Sequence, residues 1–127
     1  MNPDLLKYYI TLQPKFREVM GPIIVGDLVS WINSEITLVT TDFQAKCATG
    51  GNGYTVYPRT IDDSSEEARK RSLIGMLTAI SEYRVVLTEL TGDMWHCCLM
   101  GEDEQYIAST LTEAILKALC AQWDIEV

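Results

Sequence analysis

From Tyr83 to Met100 the chain alternates like a strand pair yet never clears a polar face, and this pattern narrows its possible folds most. Thr91-Gly92-Asp93 interrupts the run as a hairpin turn. In the second arm Trp95, Cys97 and Leu99 share one face, while Met94, His96, Cys98 and Met100 share the other. The first arm puts Tyr83, Val85 and Leu87 on one side and Val86 and Leu90 on the other. A sheet with one solvated face alternates cleanly between apolar and polar residues. Here both faces ask for cover, and helices are the simplest way to supply it. The expectation is an α+β fold in which an antiparallel sheet is layered between helices, an α-β-α sandwich.

Candidate helices flank the hairpin. Ser64-x-x-Glu67 has the form of a capping box, and Leu73, Met76, Leu77 and Ile80 follow as an i, i+3, i+4, i+7 stripe, predicting a helix over 65–81. Thr110-x-x-Glu113 repeats the cap, and Leu111, Ala114, Ile115, Ala118 and Leu119 form one apolar face, predicting a helix over 111–123. Residues 3–20 read as helical, with Asn2 as cap, a break near Leu12-Gln13 ahead of Pro14, and a stop at Gly21-Pro22. Strands are expected within 23–57. Ile23–Ile32 and Glu35–Thr41 would be joined by a turn at Asn33-Ser34, followed by a loop or hairpin tip over 48–53 and a short strand at Tyr54–Tyr57. A chain of 127 residues without repeat or linker is read as one domain, 1–127.

Charge and cysteine content restrict the partners. Eighteen acidic residues stand against ten basic ones, a net charge of −8. Nucleic-acid binding relies on Lys and Arg to displace phosphate counterions. The only dense basic cluster, Arg69-Lys70-Arg71, follows Glu66-Glu67 in the same helix, so direct nucleic-acid binding is not expected. No apolar run is long enough to span a bilayer, and residues 1–7 lack the pattern of a secretory signal. Cys47, Cys97, Cys98 and Cys120 contain no C-x-x-C pair, and adjacent strand cysteines point to opposite faces, so they read as reduced thiols that pack. The expected setting is the cytoplasm, with no membrane partner.

Several residue groups invite chemistry. His96-Cys97-Cys98 offers an imidazole beside two thiols, and His96 with Cys98 on one face, joined by Cys120 or Cys47, would begin a zinc site. Nothing in the spacing demands that, and no elbow or oxyanion motif supports a Cys–His nucleophile. Gly50-Gly51-Asn52-Gly53 suggests a phosphate loop, but Tyr54-Thr55-Val56-Tyr57-Pro58 does not start a helix, so a loop tip is favoured. Glu102-Asp103-Glu104, with Asp93, lacks calcium-loop spacing and reads as a solvated connection. Asp62-Asp63 and Glu66-Glu67 suit a helix N-terminus. Trp31, Trp95 and Trp123 read as core or interface anchors. No residue is assigned a catalytic, cofactor-binding or metal-ligating role.

Two sets of residues carry a resemblance. Trp95-His96-Cys97-Cys98 followed by Tyr106-Ile107-Ala108-Ser109-Thr110-Leu111-Thr112-Glu113-Ala114-Ile115-Leu116-Lys117-Ala118-Leu119 resembles the phage ABA sandwich domain, found in small bacteriophage and prophage proteins. Leu12–Gly21 with Val25-Gly26-Asp27, Pro58–Asp62 and Ser72–Leu77 are similar to other small phage-encoded proteins, although the charged stretch Ser64–Arg71 departs from the proline-rich approach of that group. The resemblance implies helix–sheet–helix layering and brings no activity or site residue with it.

The leading expectation is therefore a phage or prophage accessory protein in the host bacterial cytoplasm, acting by contact with a host or phage protein and without evident catalysis or cofactor. One alternative is an acidic DNA mimic that inhibits a host DNA-binding protein, which would need Asp62, Glu66, Glu89, Glu102 and Glu126 in a surface track. The other is a small metal protein or enzyme using His96 and Cys98. Three tryptophans, six tyrosines and an uncovered strand edge also leave a homo-oligomer open.

Overall fold

The computed structural model describes residues 3–31, 34–51, 53–81 and 85–127. Asn2, Ile32, Asn33, Asn52 and Tyr83, each given a role above, lie outside them. Among the described residues the chain has five helices and two three-stranded antiparallel sheets, the expected α+β class. The elements gather into two compact units, residues 1–59 and 60–127.

The first unit opens with helix α1, Pro3–Met20, which runs through Pro14 without the expected break. Pro14 removes one backbone donor, a cost of about 3 kcal/mol or more in a helix interior. Tyr8, Tyr9, Leu12 and Phe16 oppose that cost by burying one stripe of the helix, with Leu12 and Phe16 fully enclosed. Gln13 adds a side-chain bridge to the neighbouring strand. Its Oε1 accepts from Val56 N–H at 2.9 Å, and its Nε2 donates to Val56 O at 2.7 Å. The helix ends at Gly21, whose N–H returns to Arg17 O at 3.0 Å.

Strands β1 (Leu28–Trp31), β2 (Thr37–Leu38) and β3 (Tyr54–Val56) form a sheet in the order β2-β1-β3. Both pairings are antiparallel, with Leu28 opposite Leu38 and Val29 opposite Val56. Between β2 and β3 the sequence reading placed a strand tail and a glycine loop. The structure instead folds helix α2 over Asp42–Gly50. Thr41 caps it by accepting from Gln44 N–H, while Gln44 Oε1 accepts from Thr40 N–H at 2.9 Å, closing a reciprocal cap. Its buried residues are only Ala45 and Ala48, too small to write a strong apolar period.

The second unit begins with Asp62 Oδ1, which accepts from both Ser64 N–H and Ser64 Oγ, so Ser64 is spent in a turn. The cap passes to Ser65, and helix α3 covers only Glu66–Lys70. Helix α4 follows at Leu73–Ile80, so the helix expected over 65–81 divides at Arg71-Ser72. Ser72 makes the division by accepting from Gly75 N–H and donating to Arg69 O at 2.7 Å. A Cβ on Gly75 would lie 1.7 Å from Arg69 O, so the close approach of α3 to α4 requires glycine. The apolar stripe belongs wholly to α4, where Leu73, Met76 and Leu77 are buried, while α3 buries nothing.

Strands β4 (Val86–Thr91), β5 (Met94–Leu99) and β6 (Gln105–Ala108) make the second sheet, in the order β4-β5-β6. Thr91 pairs with Met94 across a two-residue turn, where Gly92 takes φ 62° without the steric cost of a side chain. Helix α5 spans Leu111–Gln122 and is capped by Thr110 on Glu113 N–H, as the sequence motif predicts. It packs Ala114, Ile115, Leu116, Ala118 and Leu119 fully out of solvent. No helix among the described residues is long and apolar enough to cross a membrane.

Candidate functional site

The register of the second sheet decides which side chains share a face, because directly paired residues point the same way. One face joins Val86 to Leu99, Thr88 to Cys97 and Tyr106, and Leu90 to Trp95 and Ala108. Its centre is enclosed: Cys97, Leu99, Tyr106 and Ala108 are all buried. The opposite face joins Leu87 to Cys98 and Gln105, Glu89 to His96 and Ile107, and Thr91 to Met94. Met100 N–H donates to Val85 O at 3.1 Å and continues this ladder by one more rung.

This second face is open. Leu87 is 51% exposed, Met100 56%, Met94 41% and Ile107 41%, so all three strands contribute an exposed apolar side chain to this face, with Glu89, His96 and Gln105 set among them. His96 and Cys98 lie half-buried within it. His96 Nδ1 and Gln105 Oε1 stand 3.1 Å apart, a hydrogen bond across neighbouring strands that fixes the ring against the sheet. His96 and Cys98 are thus brought to one face, and Cys97 to the other, as strand alternation predicts.

The thiols divide by environment. All four cysteines are free. Burial pushes the Cys97 thiol up to about 11, with the neighbouring Cys98 adding to the rise, and burial alone takes Cys120 to about 11. Both are therefore protonated at neutral pH, which withholds the thiolate that metal binding or nucleophilic attack requires. Among the described residues no group of three His, Cys, Asp or Glu side chains converges to hold a metal ion.

The acidic residues also separate. Residues 1–59 carry five acidic and five basic side chains, whereas residues 60–127 carry thirteen acidic against five basic. On α3, Asp63 pairs with Arg69 at 2.8 Å and Glu66 with Lys70 at 3.6 Å, so this stretch is locally balanced. Elsewhere in the unit Glu89 stands in the open face, Asp93 in the turn at one end of the hairpin, and Glu102, Asp103 and Glu104 in the connection at the other. Glu102 receives hydrogen bonds from Gln122, and Glu104 receives one from Tyr106 Oη at 3.4 Å. Burial, then the Glu104 and Glu102 carboxylates, raise the Tyr106 hydroxyl above its ordinary value.

The first unit has a different feature. A cleft of about 370 Å³ opens between the β1–β2 pair and α2, walled by Val29, Leu38, Val39, Phe43 and Tyr54, with Cys47 at its side. Its polar groups are already engaged: Thr37 Oγ1 donates to Val29 O, and Gln44 serves the α2 cap. Trp31 lies against Tyr54 with ring centroids 4.1 Å apart, and its indole also covers Gly53, where a Cβ would come within 2.6 Å of the ring. The glycine run therefore follows a helix and precedes a strand, the reverse of the order that cradles phosphate.

Sequence reasoning placed Leu87, Met94, His96, Cys98 and Met100 on a hairpin but did not give its register, which depends on the turn at Gly92-Asp93, and it missed strand β6, which brings Gln105 and Ile107 to the open face. It missed α2 and the cleft beside it, although Thr41-x-x-Gln44 is a capping signal that would have exposed them. Comparison with protein-family models, curated proteins and solved structures finds no match to this chain.

Proposed function

We propose that this chain is a cytoplasmic accessory protein of a phage or prophage that works by protein–protein contact through the open face of the β4-β5-β6 sheet. One observation carries the reading: Leu87, Met94, Met100 and Ile107 are all exposed on one face of a sheet whose other face is buried at Cys97, Leu99, Tyr106 and Ala108. Exposed apolar area of that extent is costly to keep in water and characteristically marks an interaction surface. The free cysteines suit a reducing compartment, and the sequence resemblance to small phage proteins supplies the biological setting.

The test compares wild type with a Leu87→Ser, Ile107→Ser double variant as bait in host lysate, quantified by mass spectrometry. A stoichiometric protein held by wild type and lost by the variant supports the reading. Equal capture by both would remove the face from the interaction. Turnover of a small metabolite, abolished by one point substitution, would replace the reading with an enzymatic one.

A further inference from the structure

We propose, resting on that interaction reading, that the occupant of the open face is a basic amphipathic helix of a partner protein. Dimensions come first. Three strands about 4.8 Å apart make a platform on the order of 10 Å wide, which matches the diameter of one helix. The six-residue strands β4 and β5 give it a length of roughly 20 Å, or about 14 helical residues. The same sheet already demonstrates the fit on its other face, where the 12-residue α5 lies against β5 and β6. The open face is the equivalent platform without its helix.

Its chemistry selects the polar side of that helix. The floor sets Leu87, Ile107, Met94 and Met100 among His96, Cys98 and Gln105, and the two methionines are flexible thioether side chains that adapt to varied partners. Among the described residues the open face bears no Lys or Arg, and the cation at its border, Lys117, has its Nζ on Ile107 O at 2.9 Å. Glu89 within the face, Asp93 at one end and Asp103 at the other are exposed carboxylates that make no ion pair among the described residues. Glu102 and Glu104, though engaged with Gln122 and Tyr106, add to the negative field of the same end. A second copy of the chain would bring the same carboxylates and the same −8 charge against them, so self-pairing meets repulsion where a Lys- or Arg-rich helix meets attraction. A DNA mimic would need carboxylates in a continuous track and no use for an apolar floor.

The experiment uses three side-chain-stapled helical peptides of equal length that share one Leu/Ile face and carry Lys, Gln or Glu on the other. Binding to the full chain is read by fluorescence anisotropy at low and high salt. The Lys peptide is expected to bind at least about tenfold more tightly than the Gln peptide at low salt, and the Glu peptide not at all. That advantage should shrink toward equality near 1 M salt, where charges are screened beyond about 3 Å. Asp93→Asn with Asp103→Asn should reduce the Lys-over-Gln ratio, whereas Leu87→Ser with Ile107→Ser should abolish binding of both peptides. All four positions are exposed, and circular dichroism checks that the variants stay folded.

Equal affinity for Lys and Gln peptides overturns the basic-partner inference while leaving the interaction reading intact. Lys-peptide binding that survives Leu87→Ser with Ile107→Ser would be attraction to net charge alone, and also overturns it. So would self-association through this face that the Lys peptide fails to disrupt, which would make a second copy the occupant. If no peptide binds but the lysate partner is still lost in the face variant, the partner is not a basic helix and the interaction reading stands.

Discussion

The two units solve one problem, an antiparallel three-stranded sheet, in opposite ways. In residues 1–59 the outer edge of β3 is occupied by α1: Gln13 bonds both backbone groups of Val56, and the Arg17 guanidinium donates to Tyr54 O. A side-chain amide there does the work of a neighbouring strand, which blunts the edge against pairing with other chains. In residues 60–127 one face is buried where α5 lies against β5 and β6, and the other is left open. The charge divides with the units. Residues 1–59 are neutral by count, while residues 60–127 hold the entire excess of eight acids. Like charge keeps copies of a chain apart, so the acidic excess opposes pairing of two copies through the open face.

The largest expected effects test whether the units melt separately. Gly75→Ala places a Cβ 1.7 Å from a backbone carbonyl that no rotamer can relieve, so α3 and α4 must separate. A loss of about 4 kcal/mol or more is expected in the second unit. Phe16→Ala empties a fully buried site in the first unit and should cost about 3–5 kcal/mol. Hydrogen exchange read residue by residue should assign each loss to its own unit. Protection lost throughout the chain in either variant would show that the two are one cooperative structure.

How much of this was legible depended on the size of the buried side chains. Helix α5 was readable almost to the residue because its cap, Thr110, and its apolar face are both strong. The continuity of α1 was not, since local rules see Pro14 but not the burial of Leu12 and Phe16 that overrides it. The division between α3 and α4 turns on Ser72 and on the space at Gly75, neither of which alters the apolar period. The open face was legible in composition and illegible in consequence. Two apolar faces imply two covers, and a sequence does not say whether the second cover belongs to the same chain.

Smaller effects sharpen the contrast between sealed edge and open face. Gln13→Leu leaves both Val56 backbone groups without their partner and should cost about 1–3 kcal/mol by urea unfolding. An unchanged midpoint would mean that water replaces the amide without penalty. Thr110→Ala removes the cap of α5 and should cost roughly 1 kcal/mol. Ile107→Ser, by contrast, should change stability by no more than about 0.5 kcal/mol, because the side chain is already 41% exposed. A large loss there would mean that Ile107 belongs to the packing of the sheet and not to a surface for a partner.

The smallest effect separates the units by pH. In the second unit Cys97 and Cys120 are held at about 11, above their ordinary value of 9.0, because the folded state favours the neutral thiol. In the first, burial and then the neighbouring Tyr57 raise Tyr9 from 10.0 to about 12. In each case the unfolded chain releases its proton first, so stability is full below the unfolded value and falls as pH rises toward the folded one. The second unit should therefore begin to weaken near pH 9 and the first near pH 10. At pH 9 the loss is less than about 1 kcal/mol per thiol, and it grows as pH rises further toward 11. Cys97→Ala with Cys120→Ala removes both titrating groups, and the decline between pH 9 and 10 should then flatten in the second unit alone. A decline that persists in this variant would place its origin in another group that titrates in this range, with Tyr106, whose hydroxyl burial and the Glu104 and Glu102 carboxylates also raise, as the next to test.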